Sequence, residues 1–139
     1  MSAPGVNLHA EVIARSGNRC EYCGLSQIGQ EATFHIDHVV PRAAGGSTTK
    51  ENLALACVSC SLRKGAKQTA TDAESGERVP LFNPRTQTWS EHFRWENETV
   101  VPLSLTGRVT AAVLSMNRPV IVAIRQEESA RGRHPPPTT

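Results

Sequence analysis

The sequence predicts an α+β fold, a small strand–strand–helix core followed by a C-terminal hairpin and helices. Four cysteines stand as two Cys-x-x-Cys pairs, Cys20 with Cys23 and Cys57 with Cys60. Between and after them, two short β-rich stretches joined by a small-residue loop lead into helix-forming residues. Further along, a hairpin pattern precedes residues with helical periodicity. A length of 139 residues is typical of one domain, so we expect a single domain over 1–139.

The cysteine pairs predict a structural metal site. A two-residue gap lets both sulfurs of a pair face one point, so four thiolates can surround a tetrahedral Zn²⁺ at about 2.3 Å. Gly24 follows the first pair and permits the positive φ that turns backbone amides toward sulfur. Two disulfides are an alternative, but no export signal is visible, which favours metal thiolates. A redox Cys-x-x-Cys pair or plain buried thiols are the other readings.

The core elements can be placed along the chain by their capping and breaking residues. Asn7 can cap a first helix that ends near Gly17, and His9 on that helix is expected at the surface. The remaining predicted elements are a strand at 32–40 ended by Pro41, a flexible loop at 43–49, a strand at 52–56, and a helix at 58–64 stopped by Gly65. With the first helix, they form a predicted core over 7–67.

The C-terminal part is predicted to be an extension over 79–130 that packs on this core. Residues 93–101 suit a hairpin that brings both tryptophans into a cover, where core packing is favoured over base stacking. Thr106 can cap a helix that reaches Met116. Pro119 opens a second helix. Residues 132–139 are expected to be a disordered tail.

Composition sets few limits on function. The net charge of +2 and a pI near 8.5 permit binding to a polyanion without arguing strongly for it. No apolar run approaches the roughly 18 residues of a membrane span, and the N-terminus lacks the pattern of a signal peptide. We therefore expect a cytoplasmic protein without a membrane partner. The sequence leaves monomer and homodimer equally open.

A second polar cluster lies between the cysteine pairs. It consists of His35, Asp37 and His38 on the first predicted strand, with Asn52 at the start of the second. Hydrolysis of a phosphodiester needs a base for water, a cation that offsets charge on the phosphoryl and leaving oxygens, and a group that holds the base. Asp37, His38 and Asn52 supply these three types of group. A hydrogen-bonded surface pair is the plain alternative for Asp37 and His38.

These residues resemble a known family. The runs FHIDHVVPR, GGS, ENLALAC and CSLRKG, with 14 positions from His38 to Asn52 and 9 from Asn52 to Ser61, are similar to HNH endonucleases with a four-cysteine zinc site. The resemblance covers about residues 8–67 and implies a ββα-metal (His-Me finger) core. It also implies hydrolysis of DNA to products with 5′-phosphate and 3′-hydroxyl ends.

The resemblance implies roles for single residues. His38 is the expected general base, Asp37 a ligand of a catalytic Mg²⁺, Mn²⁺ or Ni²⁺, and Asn52 the residue that fixes the loop and orients His38. Ser61 departs from the family, which usually places His or Asn there as the second metal ligand. A hydroxyl is a poorer ligand for a hard cation, so His35 is the nearest substitute and His92 a distant one.

Basic residues flank the predicted site. Arg42, Arg63, Lys64 and Lys67 are candidate phosphate contacts, although a solvated surface charge is an equal reading of each. The sequence thus predicts a DNA endonuclease. The alternative is a zinc-stapled nucleic-acid-binding module whose catalysis is weak or lost because of Ser61.

Overall fold

A computed structural model describes residues 7–137, which divide into two compact units. The first comprises 7–68 and 83–86, with α1 (Leu8–Arg15), β1 (His35–His38), a 3₁₀ turn (Arg42–Ala44), β2 (Leu53–Ala56) and α2 (Val58–Lys64). The second comprises 69–82 and 87–137, with β3 (Thr69–Thr71), β4 (Arg78–Pro80), α3 (Trp89–His92), β5 (Phe93–Glu96), β6 (Thr99–Pro102), α4 (Leu105–Val113) and α5 (Pro119–Ala130). This mixture of helices and short antiparallel sheets confirms the predicted α+β class.

The first unit is built on an antiparallel pair, β1 with β2. His35 lies opposite Ala56 and His38 opposite Leu53. All four residues of β2 are buried, and α1 packs against β2 through the fully buried Val12. β1 is shorter than the predicted strand at 32–40, because the Phe34 N–H donates to the Gln27 side chain at 2.7 Å instead of to a neighbouring strand.

The predicted ends of α1 and α2 are mostly correct. Gly65 ends α2 with a φ of +52°, and its N–H donates to the Ser61 carbonyl. Gly17 follows α1 with a φ of +66°. Asn7 occupies the cap position of α1, but its side chain makes no capping hydrogen bond.

Residues 83–86 join this unit through the Arg85–Glu21 ion pair, while Glu21 also accepts the Leu55 N–H at 2.9 Å.

The second unit confirms the predicted hairpin and corrects one helix. β5 and β6 pair around Asn97, which takes the left-handed φ of +54° that the tight turn requires. α4 begins after Ser104, whose Oγ accepts the Gly107 N–H at 2.9 Å, and not at Thr106. Thr106 instead donates its hydroxyl to the Pro80 carbonyl. α4 ends at residue 113, before Ser115 turns to positive φ.

Two further elements of the second unit have no counterpart in the predictions. The β3–β4 hairpin is polar and only three residues long on each side, so alternation gives little signal. Its inner side contributes Val79, which clusters with Leu81 and Val109 from the following segment and α4. α3 is a single turn. The predicted helix at 119 is confirmed as α5, with Pro119 in its first turn.

Aromatic rings cluster within the second unit. Trp89 stacks on Trp95 with centroids 5.2 Å apart, and the guanidinium of Arg125 lies 5.0 Å from the Trp95 ring. His134 places its ring edge against Trp95 at 4.6 Å, and Arg133 forms an ion pair with Glu128 of α5 at 2.7 Å. These contacts involve the beginning of the segment that the sequence predicts to be a disordered tail, whereas 138–139 lie outside the described residues. Packing of 79–130 on the core stays a prediction.

Candidate active site and cysteine cluster

The four cysteines meet in the first unit. Cys20, Cys23, Cys57 and Cys60 are all buried, and their sulfurs lie within 4.8 Å of one another. Sulfurs at 2.3 Å from one centre in a tetrahedron would be about 3.8 Å apart, and the Sγ atoms of Cys23 and Cys57 are 3.7 Å apart. This spacing fits a single zinc-sized cation and confirms the predicted cluster.

Both cysteine pairs turn the chain in the same way. The Cys23 N–H donates to Cys20 Sγ and the Cys60 N–H to Cys57 Sγ, each at 3.4 Å. Gly24 follows with the expected positive φ of +78°. Hydrogen bonds from the neighbouring cysteines hold the pKa of Cys57 well below its usual range, whereas burial raises the pKa of Cys20. A cysteine binds zinc as the thiolate.

An open groove of about 660 Å³ lies on the first unit, beside β1. Its walls come from α1, β1, the loop after β1 and the end of α2. The residues that line it are His9, Phe34, His35, Ile36, Asp37, His38, Pro41, Arg42, Thr48, Leu53, Ser61, Gly65 and Ala66. His35, Asp37, His38 and Ser61, which the sequence singles out, therefore share one groove.

Asp37 is buried at the groove wall and is held by two donors. Tyr22 donates its hydroxyl to Asp37 Oδ2 at 2.8 Å. Lys64 Nζ lies 3.2 Å from the same oxygen and 3.5 Å from Oδ1. Burial, and then the Asp37 carboxylate, raise the pKa of Tyr22 well above its usual range, so the hydroxyl stays protonated. Asp37 Oδ1 is thus the more weakly engaged oxygen.

His38 directs its Nε2 into a polar contact. Nε2 lies 2.9 Å from Thr48 Oγ1, and Arg42 Nε donates to it at 3.4 Å. A guanidinium can only donate, so Nε2 carries the lone pair in this arrangement. His38 is held through its carbonyl as well, which accepts from Lys64 Nζ at 3.1 Å. The imidazole is therefore set up as an acceptor at the groove.

Asn52 closes the loop between β1 and β2. Its Oδ1 accepts the Val40 N–H at 2.9 Å, and its Nδ2 donates to the carbonyls of Val40 at 3.0 Å and Ser47 at 2.9 Å. Gly46 is needed for this approach, since a Cβ there would overlap the Val40 carbonyl and crowd the Asn52 amide. Asn52 thereby fixes the backbone next to His38.

His35 and Ser61 form a pair across β1 and α2. Their Nδ1 and Oγ atoms are 2.9 Å apart at the groove. Among residues 7–137, the four cysteines are the only group of three or more His, Cys, Asp or Glu side chains whose ligand atoms gather closely enough for a metal. A cation in the groove would therefore depend on few protein ligands together with water or phosphate. Asp37 and Ser61 both line this groove.

The basic residues do not behave alike. Arg42, Arg63 and Lys67 are exposed, as phosphate contacts would be. Lys64 is only 2% exposed and points inward to Asp37, because β1 offers it a carboxylate and the His38 carbonyl. This placement differs from the expected surface contact.

Three further residues, Tyr22, Thr48 and His9, join the site without being singled out for it by the sequence, and Lys64 joins it in a role other than the expected phosphate contact. Tyr22 and Lys64 hold Asp37, Thr48 contacts His38, and His9, expected as a plain surface residue, lines the groove. The position of Tyr22 between two metal-binding cysteines was the one available signal, because that spacing fixes its backbone close to the site. His92, the distant substitute ligand, lies in the second unit, where its Nδ1 is 2.6 Å from the Oγ of Ser104, the residue that caps α4.

Comparison with known proteins points to one family for part of the chain. Residues 20–67 match the family model for HNH endonuclease. The Septu protein PtuB of Bacillus thuringiensis is 24% identical over 109 residues, which cover 77% of this chain and 40% of that protein. The CRISPR-associated endonuclease Cas9 of Corynebacterium diphtheriae is 36% identical over 88 residues, 55% of this chain and 7% of that protein. The chain therefore spans less than half the length of either relative. No solved structure matches it.

Proposed function

We propose that this chain, which carries an HNH endonuclease domain at residues 20–67, is a metal-dependent endonuclease that hydrolyses phosphodiester bonds of DNA. One observation supports this most: Asp37, His38 and Ser61 line a single groove in the segment that matches the family. The relative Cas9 is named an endonuclease, which supports a nucleic-acid substrate. No helix of residues 7–137 is long and apolar enough to cross a membrane.

In the proposed reaction, His38 acts as the general base. Its Nε2 takes a proton from water, the water oxygen attacks phosphorus, and the bond to the 3′ oxygen breaks. The departing 3′ oxygen takes a proton from solvent water, which leaves a 3′-hydroxyl and a 5′-phosphate. The water replaces Thr48 as the partner of Nε2, while Arg42 remains close enough to favour the lone pair. A divalent cation near Asp37, Mg²⁺, Mn²⁺ or Ni²⁺, would offset charge on the phosphoryl and leaving oxygens.

Substrate binding is assigned to the exposed cations. Arg42 lines the groove, and in the sequence Arg63 and Lys67 flank the groove-lining residues 65–66. All three would contact phosphates without reading bases. Their contribution should weaken as salt rises. Lys64 is left out of this set because its ammonium already neutralises Asp37.

Zinc is the proposed occupant of the cysteine cluster. The Cys57→Ser variant should lose zinc and unfold the ββα region, because a structural zinc contributes folding free energy directly. Elemental analysis of wild type should find one zinc per chain. Protein purified without chelator that holds no zinc, or that shows two disulfides by mass, would contradict this.

The test of the function is cleavage of supercoiled plasmid by the wild-type chain with Mg²⁺, Mn²⁺ or Ni²⁺, with single-stranded DNA and RNA assayed in parallel. Nicked and linear DNA should appear with metal and not after EDTA treatment. Retention of DNA with no cleavage under any of the three metals would exclude the nuclease.

DNA retention without cleavage would favour a zinc-stapled nucleic-acid-binding module. Two observations support this alternative. Ser61 replaces the usual ligand, and the Lys64 ammonium already balances the Asp37 charge without a metal. Both are compatible with a groove that binds phosphate and does not hydrolyse it.

A further inference from the structure

We propose that Tyr22 is a positioning residue for Asp37 and ties this carboxylate to the zinc knuckle. The inference rests on the proposed function, since it takes Asp37 as the ligand of the catalytic cation. Tyr22 would act through Asp37 and would not touch the substrate.

The first argument is where Tyr22 stands. It lies between Cys20 and Cys23, so its backbone is fixed by the turn in which the Cys23 N–H donates to Cys20 Sγ. The preceding residue is also anchored, because the Glu21 N–H donates to the Leu55 carbonyl of β2 at 2.8 Å. The phenol therefore projects from a turn that is held on both sides by hydrogen bonds.

The second argument is what the hydroxyl meets. Tyr22 is 1% exposed, and burying a hydroxyl costs free energy unless it is hydrogen-bonded. Its 2.8 Å bond to Asp37 Oδ2 compensates that cost. Packing alone would be served as well by phenylalanine, so the hydroxyl can be separated experimentally from the ring.

The third argument is that both halves of the cysteine cluster supply a donor. Tyr22 comes from the first pair, and Lys64 ends the helix α2 that starts at the second pair. Both donors are closest to Oδ2, at 2.8 and 3.2 Å, whereas Oδ1 has only the longer 3.5 Å contact with Lys64 and is the oxygen more open to a cation. Without the Tyr22 hydroxyl the carboxylate would be free to turn, and Lys64 could then engage Oδ1 more closely than its present 3.5 Å.

The expected loss of Mn²⁺ affinity on removing the Tyr22 hydroxyl can be estimated from the same kind of change at other metal sites. Residues that hydrogen-bond a metal ligand typically change metal affinity or activity by about 10- to 100-fold when they are removed. We expect the Tyr22→Phe variant to bind Mn²⁺ about tenfold more weakly than wild type. Its zinc content should be unchanged, because the hydroxyl is not a zinc ligand.

The experiment measures Mn²⁺ binding to the zinc-loaded full chain by electron paramagnetic resonance of free Mn²⁺. Tyr22→Phe is compared with wild type, with Asp37→Ala as the variant that lacks the ligand, and with Ser26→Ala. Ser26 is the matched control: it is 4% exposed, follows the same knuckle, and accepts the Ile28 N–H at 3.1 Å. Zinc analysis and the thiolate absorption of Co²⁺-substituted protein report on the cluster.

The proposal predicts weaker Mn²⁺ binding in Tyr22→Phe, wild-type binding in Ser26→Ala, and an unchanged cluster in both. Wild-type Mn²⁺ affinity in Tyr22→Phe would overturn it, and so would loss of zinc in that variant, which would assign the hydroxyl to the core. Equal Mn²⁺ binding by wild type and Asp37→Ala is a different result, because it removes Asp37 as a ligand and rejects the metal site of the proposed function itself.

Discussion

At the scale of single residues, the groove is short of ligands for a cation. Ser61 offers a hydroxyl, and that hydroxyl is already paired with His35 Nδ1 at 2.9 Å. Asp37 has one oxygen engaged by two donors. A hard divalent ion prefers several oxygen ligands, so the affinity of this site should be limited by its protein ligands.

The Ser61→Asn variant tests this limit. An amide carbonyl adds a better oxygen ligand, so the metal concentration for half-maximal plasmid cleavage should fall several-fold while zinc content stays the same. Ser61→Ala should raise that concentration. If both variants keep the wild-type metal dependence, residue 61 is not a ligand, and His35→Ala becomes the discriminating variant.

Much of the candidate site could be predicted from residue identity. The cysteine cluster followed from spacing, and the positive φ of Gly24 followed from the need to turn amides toward sulfur. The inward path of Lys64 could not be predicted, because a lysine near a helix end is normally solvated, and only the fold reveals the carboxylate within its reach. Tyr22 had a signal in its position between two cysteines, but only the fold shows that its hydroxyl reaches Asp37.

At the scale of elements, a capping contact sets where α4 begins, and an ion pair helps to join α4 to the β3–β4 hairpin. Ser104 starts α4 because its side chain accepts a hydrogen bond from the Gly107 N–H. Thr106 looks equally suitable in the sequence, but its hydroxyl donates to the Pro80 carbonyl instead. The β3–β4 hairpin has few apolar residues, so polar contacts add to the packing of Val79 on Val109 in connecting it to α4. Asp72, just after β3, is 2% exposed and accepts from Arg108 Nε and Nη2, both at 2.9 Å.

This contact predicts a pH-dependent stability. Hydrogen bonds from Arg108, and then Ser75, hold the pKa of Asp72 well below its usual range. A carboxyl whose pKa is lowered by folding stabilises the protein fully above its unfolded pKa of about 3.9, and that stabilisation is lost as the pH falls further. Asp72→Asn should therefore lower the urea midpoint at neutral pH, and the gap to wild type should narrow in acid.

Glu74→Gln is the matched control for this prediction. Glu74 pairs with the same arginine at 2.9 Å, but its side chain is 75% exposed, so solvent should screen the pair. Its urea midpoint should stay close to wild type at every pH. Acid also weakens zinc binding in both variants. Comparing their urea midpoints at the same pH removes this shared effect from the difference. A gap for Asp72→Asn that does not narrow in acid would contradict the account.

At the scale of the whole molecule, the proposed chemistry lies in one compact unit. The first unit holds the cysteine cluster, the groove and every proposed catalytic residue, and it contains the segment that matches the HNH family. The sequence identified this unit well because the metal and catalytic spacings are local motifs. The second unit offered only weak periodicity, and its β3–β4 hairpin was missed because short polar strands give no apolar alternation.

The most direct test of the central claim is the single-turnover rate of plasmid cleavage by His38→Ala, measured beside wild type and His134→Ala. His134 is a matched imidazole in the second unit, where it contacts Trp95. Loss of a general base should slow cleavage by about 10²- to 10⁴-fold in His38→Ala, while zinc content and DNA retention remain and His134→Ala cleaves normally. Cleavage by His38→Ala at the wild-type rate would show that His38 is not the base and would contradict the proposed mechanism.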